Sequence, residues 1–415
     1  MQRLHLFSLL LALALTMSSF SSKAMGLAWF FLVLAGVWAA FQNRDRLLAT
    51  SDPTWAKTWL LVATSALIIK SIGVFYWSDS WGERHGEWRL FLGALALYPL
   101  LNFQHLQRKT LSLLAHSLTI SSAVGLIWVI LHDRHAVPTH PIPWAGSVAM
   151  VSAWLLSLSL KSDFSPTHKR IWLTGGLLAL MAVLSSQSRG AYGILLWWFA
   201  VVLHHLWQLR TLWQTQRTLK SRTPRLLAWL VATVLGLAAL SQTSVFQRPA
   251  LSLQHALSEI RVSLQSTSQG ANSSVGSRLY MWQNSLIAIQ GSPWLGYGRD
   301  TRKKFLLDWA EAAQSDEVKR LGHVHNEYLN QWLDHGLFGL ISQLLYLSGL
   351  IYMAWQLLRK NHHTAAFSLA GMAFMHMTSS LTNVNFSHNY YTASLSLFIG
   401  LSLWLSRLEP TDHGH

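Results

Sequence analysis

The sequence predicts an all-α, polytopic membrane helix bundle of about twelve transmembrane helices with one long, partly helical loop on the outer side. Three observations carry this. Apolar runs of about 17 to 21 residues, the length that crosses ~30 Å of hydrocarbon as a helix, recur along nearly the whole chain. Only 12% of the 415 residues are charged, against about 25% in soluble chains, which is too few to cover a water-facing surface. The Lys and Arg residues sit between the apolar runs, mostly in alternate connections.

Spans are expected at 4 to 20, 25 to 41, 58 to 77, 88 to 104, 111 to 131, 142 to 160, 171 to 187, 191 to 209, 226 to 244, 337 to 357, 364 to 381 and 391 to 406. With the N-terminus in the cytoplasm, the inside connections hold 17 cations, densest at Arg210, Arg217, Lys220, Arg222 and Arg225. The short outside connections hold 5: Lys23, Arg84, Arg89, Arg134 and Arg189. Cytoplasmic enrichment of Lys and Arg sets orientation, so both termini are expected in the cytoplasm. The net charge of +15 then reflects topology rather than affinity for nucleic acid. The first segment also reads as a signal peptide, with its basic start, apolar centre and small residues near Lys23. A second apolar run follows at once, which favours retention as a span.

One connection breaks the pattern. About ninety residues of ordinary polarity lie between Ser244 and Leu337, dividing the chain into helices 1 to 9 (1–244), a loop domain (245–336), and helices 10 to 12 with a tail (337–415). A loop of this length is usually functional. It carries nine cations, Arg248, Arg261, Arg278, Arg299, Arg302, Lys303, Lys304, Lys319 and Arg320. Helical stretches are expected at 251 to 265, 277 to 290 and 301 to 320, with a turn-rich link over 265 to 277.

The absence of cysteine excludes disulfides, thiolate metal sites and a Cys nucleophile. No D-x-D, H-E-x-x-H or GxxxxGK[ST] pattern occurs, so neither a metal nor a cofactor is expected. Arg189 lies in Ser188-Arg189-Gly190 between two spans, where a guanidinium is costly unless it meets an anion or snorkels to headgroups. Arg278 begins a segment in which Leu279, Trp282, Leu286 and Ile289 share a helical face, as in an interfacial helix that holds its cation near lipid phosphates; a solvated face charge fits the same pattern. Pro293 to Gly298 is a tight turn whose glycines permit close backbone approach. His323 and His325, two apart, point to opposite sides of a strand or about 200° apart on a helix, so one imidazole is expected to act alone. Neutral imidazole, with a reference pKa near 6.5, is a competent base, although a lone His also serves structural roles. Lys70, inside a span, marks a polar path or pairs with a neighbouring carbonyl.

Taken together, these pieces resemble the O-antigen ligase and polymerase superfamily of bacterial inner-membrane proteins. The family pattern is a polytopic bundle with a large periplasmic loop ending in His-Asn, nine residues, then Gly-x-x-Gly. Here His325-Asn326 is followed by Glu327 to His335 and then Gly336-Leu337-Phe338-Gly339. Ser-Arg-Gly-Ala at 188 to 191 and Arg-Leu-x-x-Trp at 278 to 282 are similar to the family's two essential arginine regions. The specific resemblance covers roughly 188 to 340, and Leu340 stands where ligases often have Thr or Val.

Total length and a single long outer loop look most like the ligase branch. That branch joins O-antigen, carried on undecaprenyl diphosphate, to lipid A-core oligosaccharide on the periplasmic face. The polymerase branch uses the same donor with a second glycan as acceptor. On this resemblance Arg189 and Arg278 are expected to grip the donor diphosphate and His325 to deprotonate the acceptor hydroxyl, supported by Asn326, Arg299, Lys303 and His323. The expected surroundings are inner-membrane lipids, with the site on the periplasmic side. A lipid-linked glycan transporter or flippase is the reading from another class. It requires ionisable groups deep in several spans and internal repeats; the sequence offers Lys70 and His376 and no repeat.

Overall fold

A computed structural model describes residues 2–46, 54–79, 85–132, 136–161, 163–215, 244–265 and 270–408. The span expected at 226 to 244 therefore lies outside the described residues, apart from its last position. Helices α1 (Gln2–Met17), α2 (Ala24–Gln42), α3 (Thr54–Tyr76), α4 (His85–Phe103), α5 (Arg108–Leu131), α6 (Pro141–Ser159), α7 (Pro166–Ser185) and α8 (Gly193–Thr215) form the first part. Then come α9 (Ser244–Gln265), α10 (Ser274–Gly291), α11 (Gly298–Ala312), α12 (Asp316–Arg320), α13 (Glu327–Arg359), α14 (His363–Ser380) and α15 (Asn389–Trp404). Among the described residues the one isolated bridge joins Leu106 to Leu408.

Among the described residues five helices are long and apolar enough to cross a membrane: α2, α3 from Trp55, α5, α6 and α13. An all-α membrane protein fits this architecture. Large apolar side chains such as Leu61, Ile68, Phe75, Leu196 and Phe199 face outward, where water would penalise them and hydrocarbon does not.

Helix α6 is the centre of the bundle and is buried along nearly its whole length. It starts where proline is best tolerated, with Pro141 in the first turn and the His140 ring accepting from the Ile142 amide at 3.5 Å. Small residues on α6 let neighbours approach closely, as in other helix pairs packed without water. Ser152 Oγ donates to the Gly176 carbonyl of α7 at 2.7 Å and accepts from Trp198 Nε1 of α8 at 2.9 Å. Around it, α7 packs on α5 and α6, α13 packs on α3 and α14, and α15 runs against α2, α4 and α6.

Lys70 and His376, inside the bundle, have partners. Lys70 meets both a carboxylate and a carbonyl: its Nζ lies 3.6 Å from Glu87 and donates to the side-chain carbonyl oxygen of Gln331. The His376 ring stacks on Phe386 at 5.3 Å and meets the Tyr391 hydroxyl at 3.3 Å.

Residues 271–333 build a second core from Ala271, Met281, Ile289, Leu306, Ala310, Val318, Val324 and Leu333. Two sequence expectations change here. The helix expected over 301 to 320 is two helices, because Gln314 adopts φ +49° and Ser315 caps α12 by accepting from the Val318 amide at 3.1 Å. On α10 the buried row is Ser277, Met281, Ser285 and Ile289, and Leu286 is 49% exposed, because the helix packs into this second core.

The two parts meet at a kink in α13, where His335 has φ −124° and ψ 17° and Gly336 has φ +60° and ψ −149°. The turn from Pro293 to Gly298 lies directly against it. The Leu337 amide donates to the Trp294 carbonyl at 3.1 Å, and the Tyr297 amide donates to the Leu333 carbonyl at 2.9 Å. A Cβ on Gly336 would fall 2.2 Å from the Trp294 carbonyl, and one on Gly339 would fall 2.2 Å from the Gln331 carbonyl. Both glycines of the Gly-x-x-Gly pattern thus answer a steric need.

Gly336→Ala is expected to cost about 1–3 kcal/mol from backbone strain alone, before the clash is counted. Thermal unfolding of the detergent-solubilised protein checks this, and an unchanged midpoint would contradict it.

Candidate functional site

The site is built around the start of α13. Asn326 is its N-cap: the side-chain Oδ1 accepts from the Leu329 amide at 3.0 Å, so the Asn of His-Asn fixes where the helix begins. The preceding residue, His325, has φ +53°, a left-handed conformation uncommon for a residue with a side chain. Val324 is buried in the second core. Because 321–325 is neither strand nor helix, the rings of His323 and His325 lie on one side with centroids 4.3 Å apart. The periodicity argument that separated them assumed regular backbone that this segment does not have.

Helix α10 reaches this loop through Trp282, whose Nε1 donates to the Val324 carbonyl at 2.8 Å. Arg278, one turn earlier, is anchored near Ser274 Oγ at 3.5 Å and acts electrostatically on both imidazoles. Two further rings complete the cluster. His388, at the start of α15, lies 6.4 Å from His323, and His140, at the start of α6, stacks on His388 at 6.2 Å. Sequence reasoning missed both, since each is a single His at a helix end.

Burial pushes the His325 pKa down to about 2, and His323, Arg278, His140 and His388 add to the shift. Burial likewise lowers His323 to about 3, reinforced by His388, Arg302, His140 and Arg278. His388 falls to about 4 through burial and His140. These rings are therefore neutral at physiological pH. Nδ1 of His323 and Nδ1 of His325 are buried and make no hydrogen bond among the described residues. A cation beside neutral imidazoles can bind an anion and accept a proton.

Arg189 lies in the short 3-10 turn Arg189–Ala191, which packs on α6 and α14. A Cβ on Gly190 would meet the Thr382 hydroxyl at 2.3 Å, so the turn sits tightly against the 381–388 connection that leads to His388. Arg278, His323 and His325 are thus brought together, while Arg189 shares their end of the bundle through α6 and that connection. Lys303 engages an acid through its side chain, and Arg299 does so through its backbone amide. The Arg299 amide approaches Asp79 Oδ2 at 3.3 Å, and Lys303 pairs with Asp300 on its own helix at 3.2 Å. Asp79 also meets His335 Nε2 at 2.9 Å.

A buried pair escaped the sequence reading altogether. Arg302 Nε donates to Asp334 Oδ1 at 2.6 Å, and Asn330 Nδ2 donates to Asp334 Oδ2 at 3.0 Å. Arg302 was one cation among nine, and nothing local singles out Asp334. Among the described residues no group of three or more His, Asp or Glu is arranged to hold a metal ion.

Residues 174–344 match the family model described as "O-Antigen ligase", a stretch that contains Arg189, Arg278, His325 and the α13 kink. An uncharacterized protein of Haemophilus influenzae is 26% identical over 182 residues, covering 41% of this chain and 45% of that protein. The matched region thus spans less than half the length of this relative.

Lowered folded-state pKa values mean that the unfolded chain binds more protons than the folded one below about pH 6.5, so stability falls as pH falls. The melting temperature is expected to drop between about pH 7.5 and about pH 5.5. His323→Gln should flatten that dependence; an unaltered slope would show that the cluster does not carry it.

Proposed function

We propose that this chain, which belongs through residues 174–344 to the O-antigen ligase superfamily, is a glycosyltransferase that moves O-antigen from undecaprenyl diphosphate to lipid A-core oligosaccharide. The observation that supports this best is Arg278 acting on His325 beside a buried, unpartnered imidazole nitrogen within the matched region. In this reading about twelve spans cross the inner membrane, both termini are cytoplasmic, and residues 245–336 form a periplasmic loop over the site.

Arg189 and Arg278 hold the donor diphosphate. A guanidinium presents forked donors that fit phosphate oxygens, stays charged, and stabilises negative charge as it develops on the leaving group. His325 accepts the proton of the acceptor hydroxyl as that oxygen attacks the anomeric carbon. The bond from the anomeric carbon to the diphosphate oxygen breaks, undecaprenyl diphosphate departs, and the imidazolium proton passes to water. A single displacement of this kind inverts the anomeric configuration.

The low basicity of His325 fits this order of events. Burial above all, then His323 and Arg278, disfavour the imidazolium. A bound diphosphate brings several negative charges and reverses the Arg278 contribution, so the base strengthens when the donor is in place. Half-exposed Lys303 and neighbouring Arg299 draw the anionic acceptor towards the site.

Purified protein supplied with undecaprenyl-diphosphate-linked O-antigen and lipid A-core is expected to transfer glycan. His325→Ala should lower the rate by about 10²–10⁴-fold, the usual contribution of a positioned base. Arg189→Ala and Arg278→Ala should each lower it by about 10²–10³-fold. Near-normal transfer by His325→Ala removes the base, and near-normal transfer by both arginine variants removes the clamp. Glycan elongation when a second lipid-linked glycan replaces lipid A-core would identify a polymerase instead.

A further inference from the structure

The backbone on either side of His323 is held at three points. The Gly322 carbonyl accepts from Arg302 Nη1. The Val324 amide donates to Asn330 Oδ1 at 3.5 Å, and the Val324 carbonyl accepts from Trp282 Nε1 at 2.8 Å. The next residue is His325 in its left-handed conformation, and after it Asn326 locks onto the helix end. Two of the three holds converge on one carboxylate, because Arg302 and Asn330 each bond a different oxygen of Asp334. All three members are buried: Arg302 is 4% exposed, Asn330 3% and Asp334 1%.

A buried ion pair is weak evidence for stability, because desolvation offsets much of the attraction. Its geometry is more informative. Asp334 stands one residue before His335, where the α13 kink begins, on the part of the helix that the 293–298 turn holds in place. From that fixed point its carboxylate reaches the carbonyl of 322 through Arg302 and the amide of 324 through Asn330. Neither flanking peptide can rotate without breaking one of these bonds.

We propose that Asp334 is a positioning residue for glycan transfer, which through Arg302 and Asn330 fixes the backbone of residues 322–324 and so the direction of the His325 imidazole. This rests on His325 being the base. Misplacing a reacting group by about 1 Å costs on the order of 10²-fold in rate, so the brace acts on turnover more than on donor binding.

The deciding variant is Asn330→Ala, which removes the acceptor for the Val324 amide and leaves the ion pair intact. In transfer from undecaprenyl-diphosphate-linked glycan to lipid A-core, its kcat is expected to fall about 10–100-fold at unchanged donor KM. Hydrogen exchange of a peptide spanning 321–327 should quicken while the rest of α13 keeps its protection. Asp334→Asn should behave alike and more severely, and Asp334→Glu should restore part of kcat. If Asp334→Asn fails to fold because the Arg302 guanidinium loses its carboxylate, Asn330→Ala decides alone.

Wild-type kcat in Asn330→Ala with a loosened loop overturns the proposal, as does a loss confined to KM. His325→Ala in the same assay separates the two layers. Near-normal transfer there sinks the base, whereas an inactive His325→Ala beside a fully active Asn330→Ala sinks only the brace.

Discussion

The arrangement depends on one contact between backbones. At the α13 kink Gly336 lies so close to Trp294 that no side chain fits, and the two amides flanking that contact bond across it. Because the joint is made of peptide groups rather than of flexible side chains, it transmits position without slack. The loop core over 271–333 and the membrane-type bundle are thereby held at a fixed angle, and the imidazole cluster lies at the start of the same helix.

The first two turns of α13 serve two masters. Glu327 and Gln331 face the bundle: Gln331 donates to Glu327 at 2.8 Å and accepts from Lys70, and Glu327 accepts from the Phe386 amide at 2.9 Å. Asn330 and Asp334, also four apart, face the loop. Residues four apart share a helical face, so two interleaved polar pairs tie the helix to separate neighbours without competing for the same partners. The Glu327 bond also secures the 385–387 turn, which carries the chain to His388 and the imidazole group. Burying these polar atoms is tolerable because they bond one another, while Nδ1 of His323 and Nδ1 of His325 at the site make no hydrogen bond among the described residues.

Much of this was legible in the sequence because it is local. Apolar run lengths report helices directly, since bilayer thickness fixes how many residues must avoid charge. The His-Asn-x9-Gly-x-x-Gly pattern is legible for a similar reason: Asn326 caps a helix, Gly336 needs positive φ, and Gly339 permits a close approach. Each is a conformational demand met by one residue. What sequence could not deliver was companionship across space. Arg302 and Asp334 are 32 positions apart, and His140 and His388 cap different helices whose ends meet only after the bundle forms. The His323–His325 pair misled because a periodicity argument was applied to a segment with no period.

The left-handed backbone of His325 sets chain preference against chemistry at a single position. For a residue with a side chain that conformation costs about 1–2 kcal/mol, and glycine adopts it freely. With His325 as the proposed base, a search for hardier variants would reward glycine there and discard the ring, raising the melting point while removing that base. On that reading thermal tolerance and turnover pull in opposite directions at residue 325, and a library sorted on folding alone would be blind to what it had lost.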